Sequence, residues 1–228
     1  MNRFLLFLLS GASAAACLYW RELASQPKTA RRETEKKVPA KIGIHNGHEY
    51  IDLGLSVLWA TCNIGATRPE DYGDYFAWGE TETKKYYGKS NLASSEDISA
   101  DSICGTENDA AHVRWGGGWR MPTEKEAREM SENCTRTFME KEGVRGCELR
   151  GKNGGRIFFP AAGMMTCEFR AGDDATSFYW IGDVGRESDM RWGENFSFNY
   201  DKLGIMAYTG ADGLTVRPVL DRKFINIK

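Results

Sequence analysis

Short apolar segments, separated by glycine, asparagine and aspartate, follow one another from about residue 42 onward. Ile51, Leu53 and Leu55 alternate with polar or small residues, and residues 57–60 (VLWA) form a continuous apolar stretch. A period of two is typical of strands with one buried face. The pattern predicts a bent strand or two strands at the start of an α+β domain, with the tryptophan of VLWA in the core.

Two helices are predicted in the middle of the chain. Thr123 and Glu126 have the spacing of a capping box, and Pro122 precedes them. Such a box satisfies two backbone N–H groups at the start of a helix, so we expect a helix over residues 124–133. A shorter helix over residues 108–115 should end at the three glycines that come after it. Residues 69–107 show weak periodicity and favour a long packed loop.

A β-meander is expected after the second helix, with strands at residues 136–141, 144–150 and 156–159. Asn153-Gly154 suits a type I′ hairpin turn, which needs two positive φ angles. Cys147 and Leu149 would then face the core beside Ile157 and Phe159. Further short strands are predicted at residues 177–181, 195–199, 205–208 and 214–219.

The first residues have the features of an export signal. Arg3 precedes the apolar run FLLFLL, and three alanines stand directly before Cys17. We interpret residues 1–16 as a signal peptide and Cys17 as a lipidated residue that anchors the protein to a membrane. Cleavage by ordinary signal peptidase, an uncleaved membrane anchor and a cytoplasmic chain are the alternatives. Residues 17–41 are rich in charge, which is typical of a flexible tether, and this leaves residues 42–228 as the domain.

Composition and charge exclude two classes of protein. The 228 residues carry 30 Lys+Arg against 32 Asp+Glu, a formal net charge of −2, so nucleic acid is not expected as a partner. The mean hydropathy of −0.50 argues against a polytopic membrane protein. The 41% of hydrophobic residues nevertheless suffices for a core.

Six motifs occur in a fixed order along the domain: YIDLGLSVLWATCNIGA (50–66), EDYGDYFAWGET (70–81), DAAHVRWGGGWRMPTEKEAREMSENCT (109–135), IFFPAAG (157–163), FYW (178–180) and GLTVRPV (213–219). Together they resemble the major paralogous domain first named from Fibrobacter succinogenes, which is abundant in exported Bacteroidetes proteins. The resemblance implies an exported, often lipid-anchored protein. It also implies a domain similar to the C-type lectin-like fold, with short twisted antiparallel strands, one or two short helices and long irregular loops.

Two arginines lie within otherwise apolar motifs. Arg120 and Arg217 should each satisfy buried loop carbonyls or a carboxylate such as Asp74 or Glu80. Contact with a ligand is the alternative for both. We therefore assign them first to the scaffold.

Common catalytic motifs are absent from the sequence. The chain has three histidines and contains neither GxSxG nor HExxH, so we assign no catalytic residue. The expected function is a non-catalytic binding module for glycan or protein ligands, in the cell envelope, on either its surface or its periplasmic side. A structural or assembly protein with a protein partner is the first alternative, and a hydrolase with an unfamiliar site is the second.

The candidate ligand site combines aromatic, amide and guanidinium groups on glycine-bordered segments of the 183–212 region. Its members are Arg186, Arg191, Trp192, Asn195 and Tyr200. A purely structural role for Trp192 is the alternative. A separate acidic cluster has oxygen ligands that suit Ca²⁺, although no cofactor is required and a solvated loop is the alternative. Its members are Asp173, Asp174, Asp183 and Asp189.

The six cysteines do not form an even disulfide framework once Cys17 is lipidated, because five remain. Cys104 lies in a polar loop and is the candidate for a bridge or a reactive thiol. Cys62 and Cys134 are expected to be small buried side chains.

Overall fold

Antiparallel strands supply most of the regular structure in the computed structural model, which describes residues 41–92, 101–172, 175–187, 190–199 and 203–225. These residues fall within one unit, Lys37–Lys228. The predicted α+β class is confirmed, with strands dominant over the two α-helices of the described ranges. The predicted signal peptide and most of the predicted tether lie outside the described residues.

The elements, in chain order, are β1 (Ile42–His45), β2 (His48–Ile51), β3 (Val57–Ala60), α1 (Ala110–Trp115), β4 (Trp119–Arg120), α2 (Glu124–Asn133), β5 (Cys134–Lys141), β6 (Val144–Gly151), β7 (Arg156–Pro160), β8 (Met164–Thr166), β9 (Phe169–Ala171), β10 (Ser177–Glu187), β11 (Met190–Phe198), β12 (Leu203–Tyr208) and β13 (Val219–Asp221).

The strands form four sheets. The largest has the order β1-β2-β3-β13-β4, so the last of the described strands lies inside the sheet rather than at its edge. Leu220 of β13 is opposite both Leu58 of β3 and Trp119 of β4. The other sheets are β5-β6-β7, β10-β11-β12 and the short hairpin β8-β9.

The helix predicted over residues 124–133 is confirmed together with its capping box. Helix α1 begins two residues later than predicted, because the Asp109 carboxylate caps it by accepting the N–H groups of Ala111 and His112 at 2.8 and 3.1 Å. It ends at Gly116, which has a φ of 58°. Helix α1 is therefore shorter than the helix predicted over residues 108–115.

The type I′ turn predicted at Asn153-Gly154 is wrong. Gly154 has a positive φ of 91° but Asn153 does not, and Gly154 N–H donates to Gly151 O at 2.9 Å, which makes a three-residue loop. The Asn153 side chain instead donates to Asp52 O at 2.8 Å and accepts from Gly155 N–H at 3.0 Å. Two positive φ angles, 46° and 82°, occur at Asn46-Gly47, which joins β1 to β2.

Three strand predictions need revision. Strands β10 and β11 extend well beyond the predicted segments 177–181 and 195–199. The predicted strand at 214–219 is wrong, because residues 213–215 make only isolated bridges and the strand is Val219–Asp221. Pro218 has no N–H to offer a ladder, so the regular strand begins after it.

The main core lies between the sheets and helix α2. Cys147 and Leu149 of β6 face it opposite Phe159 and Ile157 of β7, as predicted, and Trp59 is fully buried. The rings of this core contact one another closely; Tyr179 and Phe196, for example, stack with centroids 5.1 Å apart. A second cluster forms around Phe76, Trp78 and Trp180, where the described part of the predicted packed loop meets the other face of β10.

Candidate functional site

The hairpin of β10 and β11 carries most of the predicted ligand residues. The β11 ladder with β12 begins at Gly193, opposite Tyr208, and runs to Phe198. The ladder between β10 and β11 continues beyond it to Glu187 opposite Met190. The end of the hairpin is therefore a two-stranded ribbon that extends past β12.

Three predicted ligand residues lie in this ribbon. Arg186 is directly opposite Arg191, and Trp192 is opposite Gly185. The structure thus makes Arg186 and Arg191 a cross-strand pair on one face of the ribbon, while Trp192 belongs to the next pair and, by strand alternation, to the other face. Tyr200 lies outside the described residues.

Asn195 is a correction to the predicted ligand set. Its side chain is fully buried in the sheet, and its Nδ2 donates to Met206 O at 3.1 Å. Its Oδ1 has no hydrogen-bond partner among the described residues. Phe196, the next residue and on the other face of β11, is also fully buried, so the strand is covered on both faces at this point and Asn195 faces the protein interior.

Asp183 was predicted as a metal ligand but already has a structural role. It lies at the irregularity of the β10–β11 ladder between Trp180 and Val184. Its Oδ2 accepts the Glu124 N–H at 2.6 Å, at the N-terminus of α2, where the helix dipole favours a negative charge. Asp173, Asp174 and Asp189 lie outside the described residues. Within the described ranges, His, Cys, Asp and Glu side chains form no group of three suited to a metal ion.

Glu194, next to Asn195, is a residue that no local sequence pattern singles out. Burial raises the pKa of its carboxyl group, and the charges of Glu124 and Asp183 raise it further. Its Oε2 is enclosed and has no hydrogen-bond partner among the described residues. Glu194 is therefore the half-buried acid of this region that most readily holds a proton.

Arg217 belongs to the scaffold, as predicted. It is fully buried, and its Nε donates to Asn63 Oδ1 at 2.7 Å. Its remaining nitrogens donate to three backbone carbonyls, those of Ala60, Thr61 and Phe158, at 2.8–3.2 Å. The guanidinium lies over the Phe159 ring, 4.5 Å from its centroid. Four of the five N–H donors are thus used within the domain, and the fully buried group has no surface to offer a ligand.

Arg120 also serves the scaffold, but not through Asp74 or Glu80. It makes a bidentate pair with Glu126 of α2 at 2.6 and 2.9 Å and bonds Asp221 of β13 at 2.7 Å. Asp74 pairs with Arg114, and Glu80 pairs with Lys84. The prediction of a carboxylate partner for Arg120 is confirmed, but the partners are Glu126 and Asp221 and not Asp74 or Glu80.

Asp109 holds the glycine-rich motif in place. Its buried carboxylate accepts four backbone N–H groups, from Gly105, Ala111, His112 and Met121, at 2.8–3.1 Å. Burial raises its pKa, while these four bonds act in the opposite direction. One side chain therefore ties together the preceding loop, the start of α1 and the residue that follows β4.

The prediction that Cys104 is a bridge or reactive thiol is wrong. It is free, and burial raises its pKa to about 12. A thiol with such a pKa is not a nucleophile near neutral pH. All five cysteines of the described residues are free, and among them Cys167 is the exposed one.

No protein-family model, curated protein or solved structure matches the chain significantly. Helices in the described ranges are too short or too polar to cross a bilayer. Any functional assignment therefore depends on the geometry of the described residues and on the sequence itself.

Proposed function

We propose that this protein is an exported, lipid-anchored component of the cell envelope with a non-catalytic domain of the major paralogous type and a lectin-like fold. The domain binds a glycan or protein ligand through the ribbon at the end of β10 and β11. The predicted anchor is Cys17, and the predicted binding residues are Arg186, Arg191 and Trp192.

The ribbon at the end of β10 and β11 supports this proposal. Two arginines occupy opposed positions there, and cross-strand neighbours of like charge destabilise a hairpin. Such an arrangement is compensated when an anionic group binds both. Trp192 follows Arg191 in β11 and therefore belongs to the opposite face of the ribbon, where a tryptophan is the residue type that packs on sugar rings or anchors a protein interface. Anionic glycans are therefore the preferred ligand class.

The role of the motif residues gives further support. Arg217, Arg120 and Asp109 would be the obvious charged candidates within the family motifs. Each is bound to backbone groups or to carboxylates of the same domain. The charged residues of the motifs thus serve the scaffold. A ligand site outside the motifs, on the hairpin of β10 and β11, is consistent with this.

The test is retention on immobilised polysaccharides, anionic and neutral, using the full-length chain in detergent. Trp192→Ala and Arg186→Ala/Arg191→Ala should lose retention on anionic polysaccharide while their melting temperatures stay close to wild type. Phe169→Ala is the matched control, because Phe169 is a 73% exposed aromatic residue on the separate hairpin β8-β9.

Wild-type protein that is retained on no polysaccharide would reject the glycan form of the proposal. Equal loss of retention in Phe169→Ala would reject the ribbon as the site. Unfolding of Trp192→Ala would show that this residue covers the sheet instead of binding a ligand.

A further inference from the structure

Strand β1 is the outermost strand of the five-stranded sheet and exposes two isoleucines on one face. Ile42 is 60% exposed and Ile44 is 74% exposed, and both are among the most exposed large apolar side chains of the described residues. Edge strands usually carry charge, proline or bulges that prevent pairing with another strand. Strand β1, with the sequence IGIH, has none of these.

The hydrogen-bond pattern of the β1-β2 hairpin decides which backbone groups face outward. His45 and His48 flank the two-residue turn and form its hydrogen-bonded pair. Pairs then alternate, so Gly43 is bonded to Tyr50, while Ile42 and Ile44 stand in the non-bonded pairs. Two flanking bonds agree with this alternation: Asp52 N–H donates to Lys41 O, and Thr61 N–H donates to Glu49 O.

The N–H and C=O groups of Ile42 and Ile44 consequently point away from β2. Among the described residues, none hydrogen-bonds to them. The two residues with exposed side chains are thus the same two residues with outward backbone groups.

This coincidence makes the edge complementary to itself. If two copies meet with a two-fold axis through Gly43, Ile42 of each copy lies opposite Ile44 of the other. In this antiparallel register every outward N–H meets an outward C=O. Residues that pair across strands share a face, so the four isoleucines form one apolar cluster.

The surroundings of β1 allow this approach. On the opposite face, Gly43 has no side chain, and the Tyr50 ring occupies the space where a Cβ would lie. Glu49 is the charged residue opposite Ile44 on β2, and the isoleucine row separates it from its counterpart in the second copy. The hairpin is also held firmly, because His45 Nε2 donates to Gly117 O at 2.5 Å and His48 stacks on Trp115 at 3.7 Å.

We propose that β1 is a self-association edge at which a second copy of this chain pairs antiparallel, so that two five-stranded sheets join into one. A four-residue edge buries less than the roughly 1,200 Å² of a standard stable interface. The dimer is therefore weak and concentration-dependent, and confinement of both copies to one membrane would strengthen it. The proposal is independent of the ligand site, which lies on another sheet.

Cysteine cross-linking tests the register directly. Ile42→Cys and Ile44→Cys are prepared separately in a Cys167→Ser background, which removes the exposed native thiol. Directly opposed residues are close enough for a disulfide, whereas two copies of the same position are more than about 7 Å apart between Cα atoms. Oxidation of the mixture should give a covalent dimer, and oxidation of either variant alone should give little.

Sedimentation velocity over a concentration series is the second measurement. The wild-type chain should shift toward dimer as concentration rises, and Ile44→Lys should remain monomeric with an unchanged circular dichroism spectrum. Phe169→Lys, an equally exposed change elsewhere, should dimerise like wild type. Equal cross-linking of the mixture and the single variants, or dimerisation of Ile44→Lys like wild type, would overturn the proposal.

Discussion

Replacement of Arg217 by methionine tests whether this residue is a structural element of the buried core. Methionine keeps most of the apolar volume but provides no donor, so the Asn63 amide oxygen and the carbonyls of Ala60, Thr61 and Phe158 lose their partner. A buried group without a hydrogen bond costs about 1–3 kcal/mol. Methionine also removes the buried charge, and the desolvation cost that is saved offsets several kcal/mol of the total cost of the four unsatisfied acceptors.

The expected net loss is about 3–5 kcal/mol in the free energy of unfolding, because four unsatisfied acceptors at about 1–3 kcal/mol each outweigh the several kcal/mol recovered when the buried charge is removed. Urea unfolding monitored by tryptophan fluorescence measures this quantity. Arg217→Lys should lose less, because an ammonium group still satisfies some of the acceptors but lacks the planar fork. Since total stability is about 5–15 kcal/mol, Asn63→Ala provides a milder variant if Arg217→Met does not fold.

A loss below about 1 kcal/mol for Arg217→Met would refute this reasoning, because it falls under the cost of even one unsatisfied acceptor. Binding to a polysaccharide column by folded Arg217→Lys should equal that of wild type. Selective loss of binding at unchanged stability would assign Arg217 to a ligand instead.

Three further predictions concern titration, thiol reactivity and processing. The pKa of Glu194 is raised in the folded state, so the ionised carboxylate lowers the stability of the protein as pH rises through this folded-state pKa. Glu194→Gln should therefore raise Tm at neutral pH and have little effect on Tm below pH 4.5, the ordinary pKa of a glutamate. An equal Tm difference at both pH values would contradict this. Ellman's reagent should label Cys167 in the native protein, whereas Cys104 and Cys147, whose pKa values burial raises to about 12, should react only after unfolding. Native labelling of Cys104 at the rate of Cys167 would count against the raised pKa of Cys104. Intact-mass spectrometry of membrane-purified protein should show a chain that starts at Cys17 with an added lipid mass, absent in Cys17→Ala; an unmodified chain starting at Met1 would remove the anchor.

Local signals in the sequence were sufficient for some elements of the fold. The capping box of Thr123 and Glu126 marks the start of α2 because both of its bonds form within one turn. The facing pair of Cys147 and Phe159 follows from the period of two in adjacent strands. In both cases the residues that decide the structure are close in the chain.

Long-range contacts decided the features that sequence reasoning missed. Asn153 does not adopt a type I′ turn because its side chain bonds Asp52, and the pairing of Arg120 with Asp221 spans 101 positions. Asn195 was misassigned for a related reason, since the sheet is covered on both faces at Asn195 and Phe196, which gives a polar residue no solvent side there. The raised pKa of Glu194 depends on carboxylates from two other elements, which no local pattern indicates.

The position of β13 inside the five-stranded sheet determines when the domain is able to fold. Strands β3 and β4 have no bridge between them until Val219–Asp221 arrives, and Arg222 then bonds Leu55 O across 167 positions of the chain. A ribosome makes β13 after every other strand of this sheet, so the growing chain is unable to close its largest sheet until late in synthesis. For a protein that we propose to be exported, late closure leaves this sheet incomplete while most of the chain is being made. The same feature means that a nonsense codon anywhere before residue 219 yields a product that never completes the sheet.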